Sequence, residues 1–194
     1  MMRNGFGIAL LAGLLLTACG HTPPPAYYTM TALAGQADAA SGVSLGLGPV
    51  RFPGYLSRTR ILRHEDSGRL SLAESRRWAE PLDENFSRIL GENLARLLSS
   101  DKVLRYPWPA WRQPAYQLVV DVIRFDANVQ GEVELIVQWA LLRQPGDRPL
   151  REARSHYRRP AGTDYDSLVA AHSRVLADFA AELANVIQRF GDSD

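Results

Sequence analysis

A single cysteine, Cys19, among 194 residues constrains this chain more than any other feature, because no disulfide can form within it. Whatever folds must rest on a hydrophobic core. Two stretches supply that core at helical spacing. Leu82, Phe86, Ile89, Leu90 and Leu94, continued by Leu97 and Leu98, fall on one stripe of a 3.6-residue period. Leu168, His172, Val175, Leu176, Phe179, Leu183, Val186, Ile187 and Phe190 do the same over a helix expected at about 166–190. Pro81 suits the first turn of the earlier helix, where Asp83 and Glu84 complement the dipole. Thr163 with Asp166 approximates a capping box for the later one.

Strand signals fill the rest. Val43, Leu45 and Leu47 alternate up to Gly48-Pro49. Thr59–Arg63 and Arg69–Ala73 flank Asp66-Ser67-Gly68 and read as a hairpin. Val103–Tyr106 offers a short strand, and Pro107, Pro109 and Pro114 make the segment holding Trp108 and Trp111 irregular. Tyr116–Phe125 is apolar on both faces and reads as central. Val133, Leu135, Val137, Trp139 and Leu141 form one face of the next strand, with Glu132, Glu134 and Gln138 on the other. Leu150–Arg159 reads as a polar, solvent-facing strand. The expected fold is α+β: one domain over 43–194, a mainly antiparallel or mixed sheet with both amphipathic helices on one face. No internal repeat is visible.

The N-terminus is of another kind. Arg3 precedes an apolar run, Phe6 to Leu16, too short to cross a membrane and of the length of a secretory signal. Leu16-Thr17-Ala18-Cys19 then resembles the bacterial lipobox. Residues 1–18 therefore read as a lipoprotein signal peptide and Cys19 as the lipid attachment site, carrying diacylglyceryl and N-acyl (palmitate-type) chains on its thioether and amine. Residues 19–42, with Pro23, Pro24 and Pro25 and a Gly/Ala/Ser run, read as a tether holding a candidate edge strand at Tyr27–Met30. Gly20, rather than Asp, follows the cysteine. By likeness to enterobacterial lipoproteins this sends the chain to the periplasmic face of the outer membrane.

The 22 basic residues nearly balance 21 acidic ones, which argues against nucleic acid as a partner. Gly42-Val43-Ser44-Leu45-Gly46 matches a nucleophile elbow by letter only, since that device needs a strand before it and a helix after it. The four histidines stand apart, with no pair at metal-ligand spacing. Asp121 with Asp126, and Glu132 with Glu134, could serve as acid/base pairs but read better as a solvated sheet face. Arg151, Arg154, Arg158 and Arg159 could meet anionic headgroups, although Glu152 among them favours an ordinary solvated strand. No catalytic residue, metal site or dissociable cofactor is expected.

Two sets of side chains remain. Tyr55, Arg58, Arg77, Trp78 and Glu80 have two readings. Trp78 plugs the core while Glu80 caps the helix and pairs with an arginine, or the set lines a partner surface, since Trp, Tyr and Arg dominate interface hot spots. Trp108 and Trp111, on a stiff proline-rich loop, suit either local packing or contact with a partner or membrane.

The order of these pieces resembles one family. A lipobox, a Tyr-Tyr start, Pro53-x-Tyr55-Leu56-x-Arg58, a hairpin, then Arg77-Trp78-x-Glu80-Pro81-Leu82 leading into a helix with Asn93-Leu94 is similar to the ABC-transporter auxiliary lipoproteins of the PqiC/YmbA-like group. The likeness spans nearly the whole chain after the signal. Met30 and Leu33 depart from the group's tighter Tyr-x-Leu. The resemblance implies a non-enzymatic periplasmic subunit acting beside an MCE-domain protein and inner-membrane components in lipid transport between membranes, with self-association within the group. Docking the conduit at the outer membrane is the role expected. An acyl-chain carrier with a cavity between sheet and helices, a Ser44 hydrolase, and a structural envelope lipoprotein of another secretion system are the rivals.

Overall fold

A computed structural model describes residues 24–35, 42–65, 68–146 and 148–191. Cys19, the signal segment and most of the Gly/Ala/Ser run lie outside these residues. The strands are β1 (Ala26–Tyr28), β2 (Leu45–Arg51), β3 (Arg60–His64), β4 (Leu70–Trp78), β5 (Val103–Arg105), β6 (Tyr116–Ala127), β7 (Glu132–Arg143) and β8 (Pro149–Pro160). The helices are α1 (Leu82–Leu97) and α2 (Tyr165–Gly191).

The fold is α+β, with all eight strands in one mixed sheet and both helices packed on one face. β6 is its axis. β7 lies antiparallel along one whole edge of β6, and β8 follows antiparallel beyond it. The other edge of β6 is shared. Its first half pairs in parallel with β2, which carries β5, and its last residue, Ala127, pairs with Arg63 of β3. β3 leads through the antiparallel β4 to β1 at the sheet edge.

The two apolar stripes meet the sheet as their periods require. Leu82, Phe86, Ile89, Leu90 and Leu94 are buried from α1, and Leu168, Val175, Leu176, Phe179, Leu183 and Ile187 from α2. They close on Leu45, Leu47, Leu118, Val120, Phe125, Val133, Leu135, Val137 and Leu141. Phe86 sits edge-on between Phe52 and Phe125, with both centroid separations 5.2 Å.

Three local readings are corrected. Asp164, not Thr163, begins α2, its carboxylate accepting the Ser167 backbone N–H at 2.7 Å. Glu80 does not cap α1; Pro81 occupies that position and Glu80 instead pairs with Arg88. β8 is not wholly solvent-facing. Ser155 is buried on its inner face, and there Tyr157 donates to Glu182 of α2.

The chain following β1 is lashed to both helices. Asn85 Oδ1 accepts the Met30 N–H at 3.3 Å, Ser173 Oγ that of Thr31 at 3.1 Å, and Asn93 Oδ1 those of Leu33 and Ala34 at 3.0 Å. Met30 is buried beneath this strap. Asn93→Ala removes the acceptor of two backbone donors and should cost about 1–3 kcal/mol. Hydrogen exchange checks this: the Leu33 and Ala34 amides should lose protection before those of β6.

Candidate partner interface and the buried ion network

The sheet face turned away from the helices carries a polar cluster built from four strands. β6 and β7 place Asp126 directly opposite Glu134. Neither carboxylate is solvated: Asp126 is 1% exposed and Glu134 3%. The reading of these acids as a solvated face therefore fails for this pair. Arg124 bridges them, Nε to Asp126 Oδ1 at 3.0 Å and Nη1 to Glu134 Oε2 at 2.8 Å. β3 brings His64 Nδ1 to 2.8 Å from Asp126, and the turn before β3 brings the Tyr55 hydroxyl to 3.0 Å. β8 covers Glu134 with His156 Nε2 at 2.6 Å and Arg158 Nη2 at 2.7 Å.

His64 and His156 each hold a buried carboxylate. Burial pushes the Glu134 carboxyl up, yet the hydrogen bonds from Arg158 and His156 and the charge of Arg124 outweigh it and hold the group below its usual value. Burial, then Asp126, raises the Tyr55 hydroxyl far above its ordinary range, so it stays a donor. Every acid here has its charge answered by an arginine. The cluster clamps β3, β6, β7 and β8 together across the sheet face. Among the described residues no group of three His, Cys, Asp or Glu could hold a metal ion.

Trp78 closes the core at the end of β4. It is buried and meets the His172 ring edge-on at 5.2 Å, and Phe125 meets the same ring at 4.8 Å. His172 donates from Nδ1 to the Leu168 carbonyl at 2.9 Å. Of the first candidate set, then, Trp78, Tyr55 and Glu80 are engaged inside the domain, while Arg58 is exposed and Arg77 half-buried. Ser44 stands just before β2, so a strand and not a helix directly follows it.

The two loop tryptophans differ. Trp108 lies on β2, where Gly46 makes room: a Cβ there would come within 2.7 Å of the indole. Tyr106 meets Trp108 edge-on at 5.5 Å. Trp111 projects beyond them, 81% exposed, with the Arg112 guanidinium 5.7 Å from its ring. Tyr106, Trp111 and their loop stand at the start of β6. The chain enters at the other end: Ala26 pairs with Arg76 and Arg60 with Arg77, while Arg63 is level with Ala127 at the last residue of β6. Sequence reasoning could not see Arg124, His64, His156 or Tyr106 in these roles, since strands distant in sequence bring their partners.

The profile of the ABC-type transport auxiliary lipoprotein component family matches residues 28–184. The chain belongs to that family, and so is a lipoprotein auxiliary component of ABC-type transport. No curated protein matches it in sequence. Its fold is similar to the crystal structure of a Xanthomonas campestris protein of family DUF330, at TM-score 0.73 and 21% identity over 87% of this chain and 98% of that one. A second crystal structure, of an uncharacterized protein, gives TM-score 0.70 at 22% identity over 85% and 99%.

Proposed function

We propose that this chain is a non-enzymatic accessory of an inter-membrane lipid transport system, anchored through lipidated Cys19 to the periplasmic face of the outer membrane, where it docks an MCE-type conduit. One observation carries the reading: β1, where the described chain enters the sheet, and the exposed aromatic loop stand toward opposite ends of β6. Tyr106 bonds Leu47, level with Leu118, while Tyr27 is aligned through Arg77 and Arg60 three residues short of Ala127, a separation along the strand of roughly 20 Å. A membrane hold at one end leaves Tyr106 and Trp111 free for a protein partner at the other. Trp111 has the character of an interface anchor, a large rigid aromatic beside an arginine.

The carrier reading lacks support in the core. The void beside Trp78, Phe125 and His172, lined also by Tyr55, Arg58, Arg60 and Asp126, measures about 10 Å³, room for no acyl chain.

Photo-crosslinking from the exposed neighbouring position 110 of the lipidated protein in its native envelope tests the proposal. Recovery of an MCE-domain protein is expected. Trp111→Ala should reduce that recovery roughly thirtyfold, the effect of losing an anchor of about 2 kcal/mol. Its melting temperature should not move, because the side chain is exposed. Unchanged recovery in Trp111→Ala would remove the loop from the interface.

A further inference from the structure

Among the described residues, the wing of the sheet formed by β1, β4 and β3 carries arginines that no ion pair neutralises. Arg60 and Arg77 are paired residues across β3 and β4. Like charges directly opposite one another destabilise a sheet. Among the described residues neither has an ionic partner, nor does Arg58, which precedes them. Arg77 Nε is buried without an acceptor. Glu65, at the far end of β3, is taken by Arg69, and Glu74 on β4 pairs with none of the three arginines. Arg88, Arg96, Arg124, Arg158 and Arg159 all hold carboxylates.

Strand alternation assembles this face. Arg60 and His64 point away from the helices, as the His64–Asp126 contact shows, and their register partners Arg77 and Leu70 share that side, as does Leu72 opposite Leu62. On the other side of Arg77, β1 sets Tyr27 beside it. Tyr27 is 62% exposed, Leu70 37% and Leu72 36%. An exposed tyrosine, two half-exposed leucines and unpaired arginines form the composition of a membrane-interface surface.

We infer that this wing rests on the anchoring bilayer and that Arg60 and Arg77 bind the phosphate of anionic lipid headgroups between them. The guanidinium forks suit phosphate oxygens, and an anion seated there relieves their mutual repulsion and gives Arg77 Nε its acceptor. The tether selects a lipid surface over an acidic protein. From Cys19 to Tyr27 the chain reaches at most about 28 Å even when fully extended, so a lipid on Cys19 keeps this wing near the headgroups. The inference rests on the anchoring part of the proposed function and not on the aromatic loop.

The lipidated full chain in nanodiscs provides the test. Cys19 is its one cysteine, so Leu72→Cys adds the single free thiol once Cys19 is acylated. A fluorophore there should be quenched by headgroup nitroxides when the discs contain phosphatidylglycerol. The same label at Asp101→Cys, by the aromatic loop, should not be. Arg60→Gln and Arg77→Gln should each lower the docked fraction about fivefold relative to the undocked, and high salt should do likewise. Far-ultraviolet circular dichroism, unchanged, certifies that these variants fold. Equal quenching in purely zwitterionic discs, or none in either, overturns the headgroup site. So does an Arg60→Gln variant that loses a co-purifying protein while quenching persists. Protein that leaves the discs altogether refutes the anchor itself, and the headgroup site with it.

Discussion

Replacing Arg124 by methionine should cost about 3–5 kcal/mol at pH 7, because the change strips the shared cation from two buried carboxylates. Asp126 and Glu134 stand opposite each other in register, and among the described residues Arg124 alone holds both. Their remaining partners are divided: His64 and Tyr55 serve Asp126, and His156 and Arg158 serve Glu134. Without the bridge, the two negative charges meet in a site with little water. The response to pH identifies the cause. In the intact protein Glu134 titrates below its ordinary value, so its contribution is complete above that value and is lost as pH falls through the folded one. In Arg124→Met, loss of the cation lets burial and repulsion push the Glu134 carboxyl up instead, and protonation relieves the strain as pH falls. The stability gap between the two proteins, measured by urea denaturation, should therefore narrow from pH 7 to pH 5. A gap that stays constant or widens would mean that Arg124 stabilises through its aliphatic packing and not its charge.

That network shows where the sequence was legible and where it was not. The helices were readable because their stripes repeat within a single segment: Leu82 through Leu94 and Leu168 through Ile187 declare a buried face without reference to any other element. The central position of β6 followed from its two apolar faces. The parallel pairings of β2 with β5 and β6, and of β1 with β4, depend on segments far apart and leave no local trace. Glu134 illustrates the resulting error. It alternates with Val133 and Leu135 and so belongs on the face away from the helices, which was correct. That face counted as solvated because nothing near it in sequence reveals that Arg124 and Arg158 will cover it. Asn85 and Asn93 gave a fainter signal, two amides in a helix otherwise rich in buried leucines. Their purpose appears only with the strap that they hold. Trp108 and Trp111 share one proline-rich loop and looked alike. Gly46, remote in the sequence, seats the first and leaves the second in solvent.

His172 sets a second large effect, and this one runs with acid. The ring is buried between Trp78 and Phe125, and burial lowers its pKa from 6.5 to about 4, with smaller opposing effects from the Leu168 carbonyl and Asp126. A group whose folded pKa lies below its unfolded one binds fewer protons when native. Folding stability is thus independent of this group above about pH 6.5 and declines as pH falls from there toward 4. At about 1.4 kcal/mol per unit the full decline is roughly 3 kcal/mol. His172→Leu should remove it. The substitution keeps an apolar side chain against Trp78 and Phe125, and the Leu168 carbonyl retains its helical partner, the backbone N–H of residue 172, so the cost at pH 8 should be small. The two proteins should match within about 1 kcal/mol at pH 8, and the variant should be the more stable at pH 5. Thermal melts of both across this range decide it. If the wild-type protein keeps its lead at pH 5, protonation of the ring is tolerated in place, and the aromatic contacts at His172 would then be those of a cation held between two π faces.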